Sequence, residues 1–324
     1  MIPVHILSGF LGSGKTTLLN QLLKRPDCAN SLVIINEFGT IPIDHHMVEK
    51  SAATETVVEL SNGCLCCNIR GELIDHLSSL DLTGYDRVLI ETTGIADPLP
   101  IYQAIALHPA LSQRVRPGII LVVFDTMRGT FLLKQHEEAV QQITLADTIY
   151  LSRLDMKGDR TASEHSIRQV NPTANIVTIP EEILLDDGLR KPAGDLAKPT
   201  THSRKFQSVS LTCENTMPAR NVTDFINFLQ AQIGGRLLRI KGLFACQENE
   251  GAPLLVQVSG SIFHEPVFLN AWPDDNRTSQ CVVIFSGTEP QKISEIFESF
   301  FGAPAIDRPD GQALHSNPLS ITGF

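Results

Sequence analysis

The chain has 324 residues, 42% hydrophobic and 19% charged, the balance of a globular protein long enough for two ordinary domains. Its 26 Lys and Arg against 36 Asp and Glu leave a formal charge of −10, which disfavours nucleic acid and anionic membrane surfaces as partners. No run approaches the roughly 18 to 20 consecutive apolar residues of a membrane helix, and no basic region precedes the first apolar stretch, so the expected location is the cytoplasm.

In chain order, residues 4–7 read as a buried strand, and 15–24 carry apolar residues at helical spacing, with a glycine loop between them. The alternation continues with a strand over 32–35, a helix over 72–80, and strands over 87–90 and 118–124. A helix over 134–145, a strand over 148–151, a helix over 163–170 and a strand over 176–179 complete it. Apolar strands alternating with helices predict a mostly parallel α/β sheet with helices on both faces, whose ligands bind at the carboxyl ends of the strands. That first domain is expected over 1–185. Residues 186–204, rich in Gly, Pro, Lys and Asp, read as a linker. The remainder, 205–324, predicts a smaller α+β domain, with strands over 206–212, 237–244, 254–258 and 282–285 and helices over 222–233 and 293–301. A loose tail containing Pro304, Pro309 and Pro318 follows Gly302.

Between the first strand and the first helix lies Gly9-Phe10-Leu11-Gly12-Ser13-Gly14-Lys15-Thr16-Thr17, which fits the phosphate-loop pattern G-x-x-x-x-G-K-[ST] in its proper context. Glycines let successive backbone N–H groups curl around phosphates, the helix N-terminus adds a favourable dipole, Lys15 reaches the terminal phosphates and Thr16 offers a hydroxyl to Mg2+. Val88-Leu89-Ile90-Glu91-Thr92-Thr93-Gly94 delivers an acid at the end of a strand, where Glu91 can hold Mg2+ or its water, or orient an attacking water. The strand 148–151 runs into Ser152-Arg153-Leu154-Asp155, where Asp155 is the candidate reader of guanine N1 and N2 hydrogens.

Seven cysteines, three of them in Gly63-Cys64-Leu65-Cys66-Cys67, fit reduced thiols or a metal site better than a disulfide framework. Cys64 with Cys67 has C-x-x-C spacing, and Cys64 with Cys66 shares a face if the segment is extended. Thiolates favour Zn2+, with Co2+ and Ni2+ also compatible, and at most three ligands in the cluster point to an exchangeable site rather than a closed structural one. Further ligands are available between Asn36-Glu37-Phe38-Gly39 and Asp44-His45-His46, although the adjacent histidines also read as a solvated loop. Buried inert thiols and a redox pair are the competing readings of the cysteines.

On these motifs, together with Glu91-Thr92-Thr93-Gly94-Ile95-Ala96-Asp97-Pro98 and Leu237-Leu238-Arg239-Ile240-Lys241-Gly242-Leu243, the chain resembles the CobW/YjiA family of P-loop GTPases along nearly its whole length. The resemblance implies slow hydrolysis of GTP to GDP and phosphate, coupled to handling of a transition metal. Relatives serve as zinc metallochaperones, cobalamin-pathway proteins and nitrile hydratase activators. Carried onto matching positions, Gly9, Gly12, Ser13, Gly14, Lys15, Thr16 and Thr17 would hold phosphates and Mg2+, and Glu91 would be the glutamate of the hydrolysis site. Glu37 and Asp44 would belong to a segment that senses the γ-phosphate, and Cys64, Cys66 and Cys67 would ligate the metal. The resemblance also implies a CobW-type second domain and an unidentified client metalloprotein. One departure stands out: the family's Asn-Lys-x-Asp is here Ser152-Arg153-Leu154-Asp155, so an amide is lost, while Arg153 retains a stem and guanidinium to lay against a base. Three questions stay open on sequence alone: self-association, a small-molecule kinase built on the same loop, and a nucleotide- and metal-binding adaptor without turnover.

Overall fold

The computed structural model of the chain describes residues 1–35, 57–59, 69–183, 185, 206–272 and 276–302. The strands β1 (Ile2–Ser8), β2 (Ser31–Ile35), β3 (Val57–Glu59), β4 (Arg87–Glu91), β5 (Val115–Asp125), β6 (Thr148–Ser152) and β7 (Asn175–Val177) form one sheet in the order β3-β2-β4-β1-β5-β6-β7. Every pairing in it is parallel. Continuous apolar runs such as Leu32-Val33-Ile34-Ile35, buried throughout, are what a parallel sheet covered on both faces requires. Alternate side chains serve the two faces: Val4, Ile6, Ile34 and Ile90 join one core, while Leu7, Val33 and Leu89 join another. The helix α1 (Lys15–Leu23) covers the second face through Leu18, Leu19 and Leu22. On the first face lie α2 (Ile69–Ser79), α3 (Pro98–Leu107), α4 (Gly129–Gln135), α5 (Glu137–Leu145) and α6 (Arg160–Val170), with Leu73, Ile101, Ile105, Ile143 and Ile167 in the core.

Three features depart from the expected elements. The strand β3 and helix α3 carry no clear periodic signal, although Asp97 caps α3 by accepting from the Leu99 N–H (2.9 Å) and Pro98 occupies its first turn. The helix expected over 134–145 is two helices, because His136 is extended (φ −126°, ψ 118°) and its ring packs on Phe10 with centroids 4.8 Å apart. The strand expected over 176–179 ends at Val177. The linker 186–204 and the tail after Gly302 lie outside the described residues.

The C-terminal part is an antiparallel sheet of β8 (Phe206–Cys213), β9 (Leu237–Cys246), β10 (Asn249–Ser259), β11 (Ile262–Phe263) and β13 (Ser279–Ser286), in the order β11-β10-β9-β13-β8, with β12 (Val267–Phe268) paired to β10. The helices α7 (Ala219–Ile233) and α8 (Pro290–Phe301) bury Phe225, Ile226, Leu229, Ile293 and Phe297 against Ile240, Phe244, Val256 and Val283. Edge-to-face rings, Phe225 with Phe297 at 5.5 Å, add specificity to that core. This is the α+β unit expected from the alternating runs.

The other face of β9 carries Arg239 and Lys241, 4% and 3% exposed, a placement that charged side chains tolerate only with partners. The Arg239 guanidinium donates to the Leu145 carbonyl (2.7 Å) and forms an ion pair with Asp147, just before β6. Nearby, the Tyr102 hydroxyl on α3 lies 3.1 Å from His264 Nε2. Burial raises the Tyr102 hydroxyl and lowers the His264 imidazole, so both groups are neutral where they meet. The second sheet is thereby fixed to α3 and to the α5–β6 junction. Among the described residues no helix is long and apolar enough to cross a membrane.

Candidate functional site

Because the first sheet is parallel, Ser8, Glu91, Asp125 and Ser152 end their strands at one edge. Strand order reverses at β1: the chain fills β2, β3 and β4 on one side and then β5, β6 and β7 on the other, the switch point at which such sheets bind ligands. The loop after β1 is shaped by Gly9, Gly12 and Gly14, with φ of +141°, +70° and +101°. At Gly9 a Cβ would also lie 2.6 Å from the Val123 carbonyl oxygen, so glycine is required there by packing as well as by backbone.

Gly14 is the N-cap of α1; no side chain caps the helix and no acid occupies its first turn, which leaves its leading N–H groups to an anion. The Lys15 ammonium curls back over the loop and donates to the carbonyls of Gly9 (3.0 Å) and Phe10 (3.4 Å). The Thr16 hydroxyl donates to Glu91 Oε1 at 2.8 Å. Glu91 is brought there by register, since it pairs with Leu7 two residues before the loop, and it is only 5% exposed. Ser13 in the loop is buried, and Thr17 in the first turn of α1 is exposed. The sequence-predicted residues Gly9, Gly12, Ser13, Gly14, Lys15, Thr16 and Glu91 are thus brought together at one strand edge.

Downstream of Glu91 the chain is held closely. The Thr92 N–H donates to the Leu7 carbonyl (2.9 Å), and the Ala96 N–H donates to the Thr93 carbonyl (3.1 Å). A Cβ on Gly94 would come within 2.6 Å of the Leu11 backbone nitrogen, so this segment lies directly on the phosphate loop. The Gln142 amide donates to the carbonyls of Gly94 (3.2 Å) and Ala96 (3.1 Å).

The segment after β6 braces the same loop. The Ser152 hydroxyl lies 2.8 Å from the Ser13 carbonyl and 3.3 Å from that of Phe124, sharing its one proton between them. Arg153, left-handed at φ +61°, donates to the Gly12 carbonyl and pairs with Asp125 at 2.7 Å. A non-glycine residue in that region costs about 1 kcal/mol or more and persists only where its surroundings impose it. The guanidinium expected against a base is therefore engaged with the loop and with β5. Asp155 is exposed in the short 3-10 turn Leu154–Met156.

Glu37, Asp44, His45, His46, Cys64, Cys66 and Cys67 lie outside the described residues. Among the described residues no three His, Cys, Asp or Glu side chains cluster as a ligand set. Burial raises the thiols of Cys28, Cys246 (to about 11) and Cys281, which disfavours the thiolate a metal needs.

Sequence reasoning missed Gln142 and the bracing role of Ser152. A lone glutamine at a buried position of an amphipathic helix was the only available signal for the first.

Among curated proteins, the chain is 34% identical over 184 residues to zinc chaperone YjiA of Escherichia coli strain K12, covering 55% of this chain and 57% of that protein. It is 33% identical over 185 residues to zinc-regulated GTPase metalloprotein activator 1 of Schizosaccharomyces pombe, covering 54% of this chain and 45% of that one. The chain therefore spans about half the length of the curated relatives it matches. Zn(II)-bound YjiA GTPase from E. coli superposes with a TM-score of 0.66 at 22% identity, covering 92% of this chain and 98% of that one, which shows a shared fold. The family model of the cobalamin synthesis protein cobW C-terminal domain matches residues 206–301. The CobW/HypB/UreG nucleotide-binding domain matches residues 3–178, more than half of the chain, and by this the chain belongs to the CobW/HypB/UreG family.

Proposed function

We propose that the chain is a GTP-hydrolysing metallochaperone: it binds GTP and Mg2+ at the phosphate loop, holds a transition metal, zinc first, on Cys64, Cys66 and Cys67, and delivers it to a client metalloprotein. The observation that carries the reading is the meeting of Lys15, Thr16 and Glu91 beside the uncapped N-terminus of α1. The names of the relatives, zinc chaperone YjiA and zinc-regulated GTPase metalloprotein activator 1, support the metal half.

In this reading the N–H groups of 12–17 and the Lys15 ammonium take the phosphate oxygens, Lys15 exchanging its two loop carbonyls for them. The Thr16 hydroxyl and Glu91 carboxylate, 2.8 Å apart, form an all-oxygen donor set that suits a hard cation, and they are the residues that would hold Mg2+. Bound there, Mg2+ would supply charge neutralisation for the leaving diphosphate. Glu91 orients a water whose oxygen bonds to the γ-phosphorus as the bond to the β–γ bridging oxygen breaks; the bridging oxygen leaves with GDP and the water's proton passes to the released phosphate. Asp155 reads the guanine edge, with preference over adenine reduced because Ser152 and Arg153 are engaged with the loop.

The segment from Glu37 to Asp44 senses the γ-phosphate, so hydrolysis loosens the metal. Co2+ and Ni2+ are the alternative cargoes. The work is divided between a nucleotide domain over 1–185 and a second domain over 205–324, in the cytoplasm. The test is metal content and phosphate release of protein purified without chelator. The wild type is expected to retain close to one zinc per chain and to release phosphate from GTP. Replacing Cys64, Cys66 and Cys67 together removes the zinc, and Lys15→Ala removes the release. Zinc retained by the triple variant would defeat the metal assignment, and no release from the wild type would leave an adaptor instead of an enzyme.

A further inference from the structure

Gln142 occupies a position on α5 where packing alone would select an apolar residue. Its neighbours on the buried side of the helix are Ala139, Val140 and Ile143, and it is 1% exposed. A buried primary amide costs free energy unless its donors are matched, and here Nε2 reaches two acceptors, the carbonyls of Gly94 (3.2 Å) and Ala96 (3.1 Å). Both belong to the loop that starts one residue after Glu91. The same loop lies so close to the backbone of Leu11 that Gly94 has no room for a Cβ. The loop is thus held both by its packing on the phosphate loop and by the Gln142 side chain of α5.

We propose that Gln142 is a positioning residue for hydrolysis: by holding the Gly94 and Ala96 carbonyls it keeps the 92–96 loop seated on the phosphate loop and Glu91 in register with Thr16. The inference rests on the reading of Glu91 and the phosphate loop given above. It concerns the hydrolytic step rather than nucleotide capture, because the glycine loop that grips phosphate is braced separately, by Ser152 on the Ser13 carbonyl and by Arg153 on the Gly12 carbonyl. Misplacing a reacting group by about 1 Å lowers rates by up to about a hundredfold, so loss of the clamp is felt in turnover first.

The experiment measures single-turnover phosphate release from GTP and the affinity for a fluorescent GDP, on the full chain, for wild type, Gln142→Met and Gln142→Glu. Methionine keeps the length of the side chain and removes both donors. Gln142→Met is expected to slow release by about 10- to 100-fold with GDP affinity within threefold of wild type. Gln142→Glu carries a carboxylate facing two carbonyl oxygens near pH 8 and a single O–H donor once protonated. Its rate relative to wild type is therefore expected to rise as the pH is lowered from about 8 to about 6. This second variant decides the matter if the methionine variant does not fold. A Gln142→Met rate equal to wild type, a parallel fall in GDP affinity, or a Gln142→Glu profile that tracks wild type overturns the inference while leaving the assignment of the site intact. Absence of release from the wild type removes both.

Discussion

Glu91→Gln is expected to slow GTP hydrolysis by about a hundredfold while leaving GDP affinity within about twofold. The amide oxygen still accepts from the Thr16 hydroxyl, so the local hydrogen bond survives, but the charge that would order Mg2+ and the attacking water is gone. The effect is large because this carboxylate is buried at a strand end beside the phosphate loop, where water screens it little. Phosphate release under single-turnover conditions, paired with GDP titration, checks it. A rate within threefold of wild type would show that Glu91 is a structural partner of Thr16 and that hydrolysis depends on another group.

Arg239→Ala is expected to destabilise the protein by about 3–5 kcal/mol, because it leaves Asp147 buried and without its main counter-charge. Burial pushes the Asp147 carboxyl up, but Arg239, Lys241 and the Ile120 N–H together pull it below the usual carboxylate range. A carboxylate depressed in the folded state stabilises above its unfolded value, about 3.9, and that contribution disappears as the pH falls through the lower folded value. The pair is therefore fully effective at neutral pH and is lost only below about pH 4. Denaturant unfolding at pH 7 measures the effect, and Arg239→Met with Asp147→Asn is expected to recover only part of the loss, since it removes the stranded Asp147 charge but takes a counter-charge away from the buried Lys241. A loss below 1 kcal/mol for Arg239→Ala would mean that Lys241 alone serves Asp147.

How much of this could be read from the residues depends on whether the signal is local. The phosphate loop is local: glycine, lysine and threonine at fixed spacing between an apolar strand and a helix, and the three positive φ values fall on the glycines of that motif. The buried strands are also legible, because Leu32-Val33-Ile34-Ile35 and Val88-Leu89-Ile90 admit few other readings. Contacts over long sequence separation are not. Arg153 meets Asp125 28 residues away, Ser152 meets Ser13 139 residues away, and Gln142 meets Gly94 48 residues away. The replacement of asparagine by Ser152 was visible as a lost amide; that its hydroxyl still braces the loop was not. Helix α3 was not expected: it starts at Asp97-Pro98, a capping residue followed by proline, but its residues 98–107 are apolar nearly all round and give a weak helical period. Arg239 and Lys241 looked like ordinary alternation on a half-exposed strand, because the surface that buries them belongs to a different part of the chain.

In the proposed cycle the nucleotide state controls the hold on the metal. It is tested most directly by zinc affinity, measured by competition with a chromophoric chelator on the full chain, once with Mg2+ and a non-hydrolysable GTP analogue and once with Mg2+ and GDP. Zinc is expected to bind about tenfold or more tightly with the analogue, a coupling of about 1.4 kcal/mol, lost when Cys64, Cys66 and Cys67 are replaced. Equal zinc affinities in the two nucleotide states would contradict it.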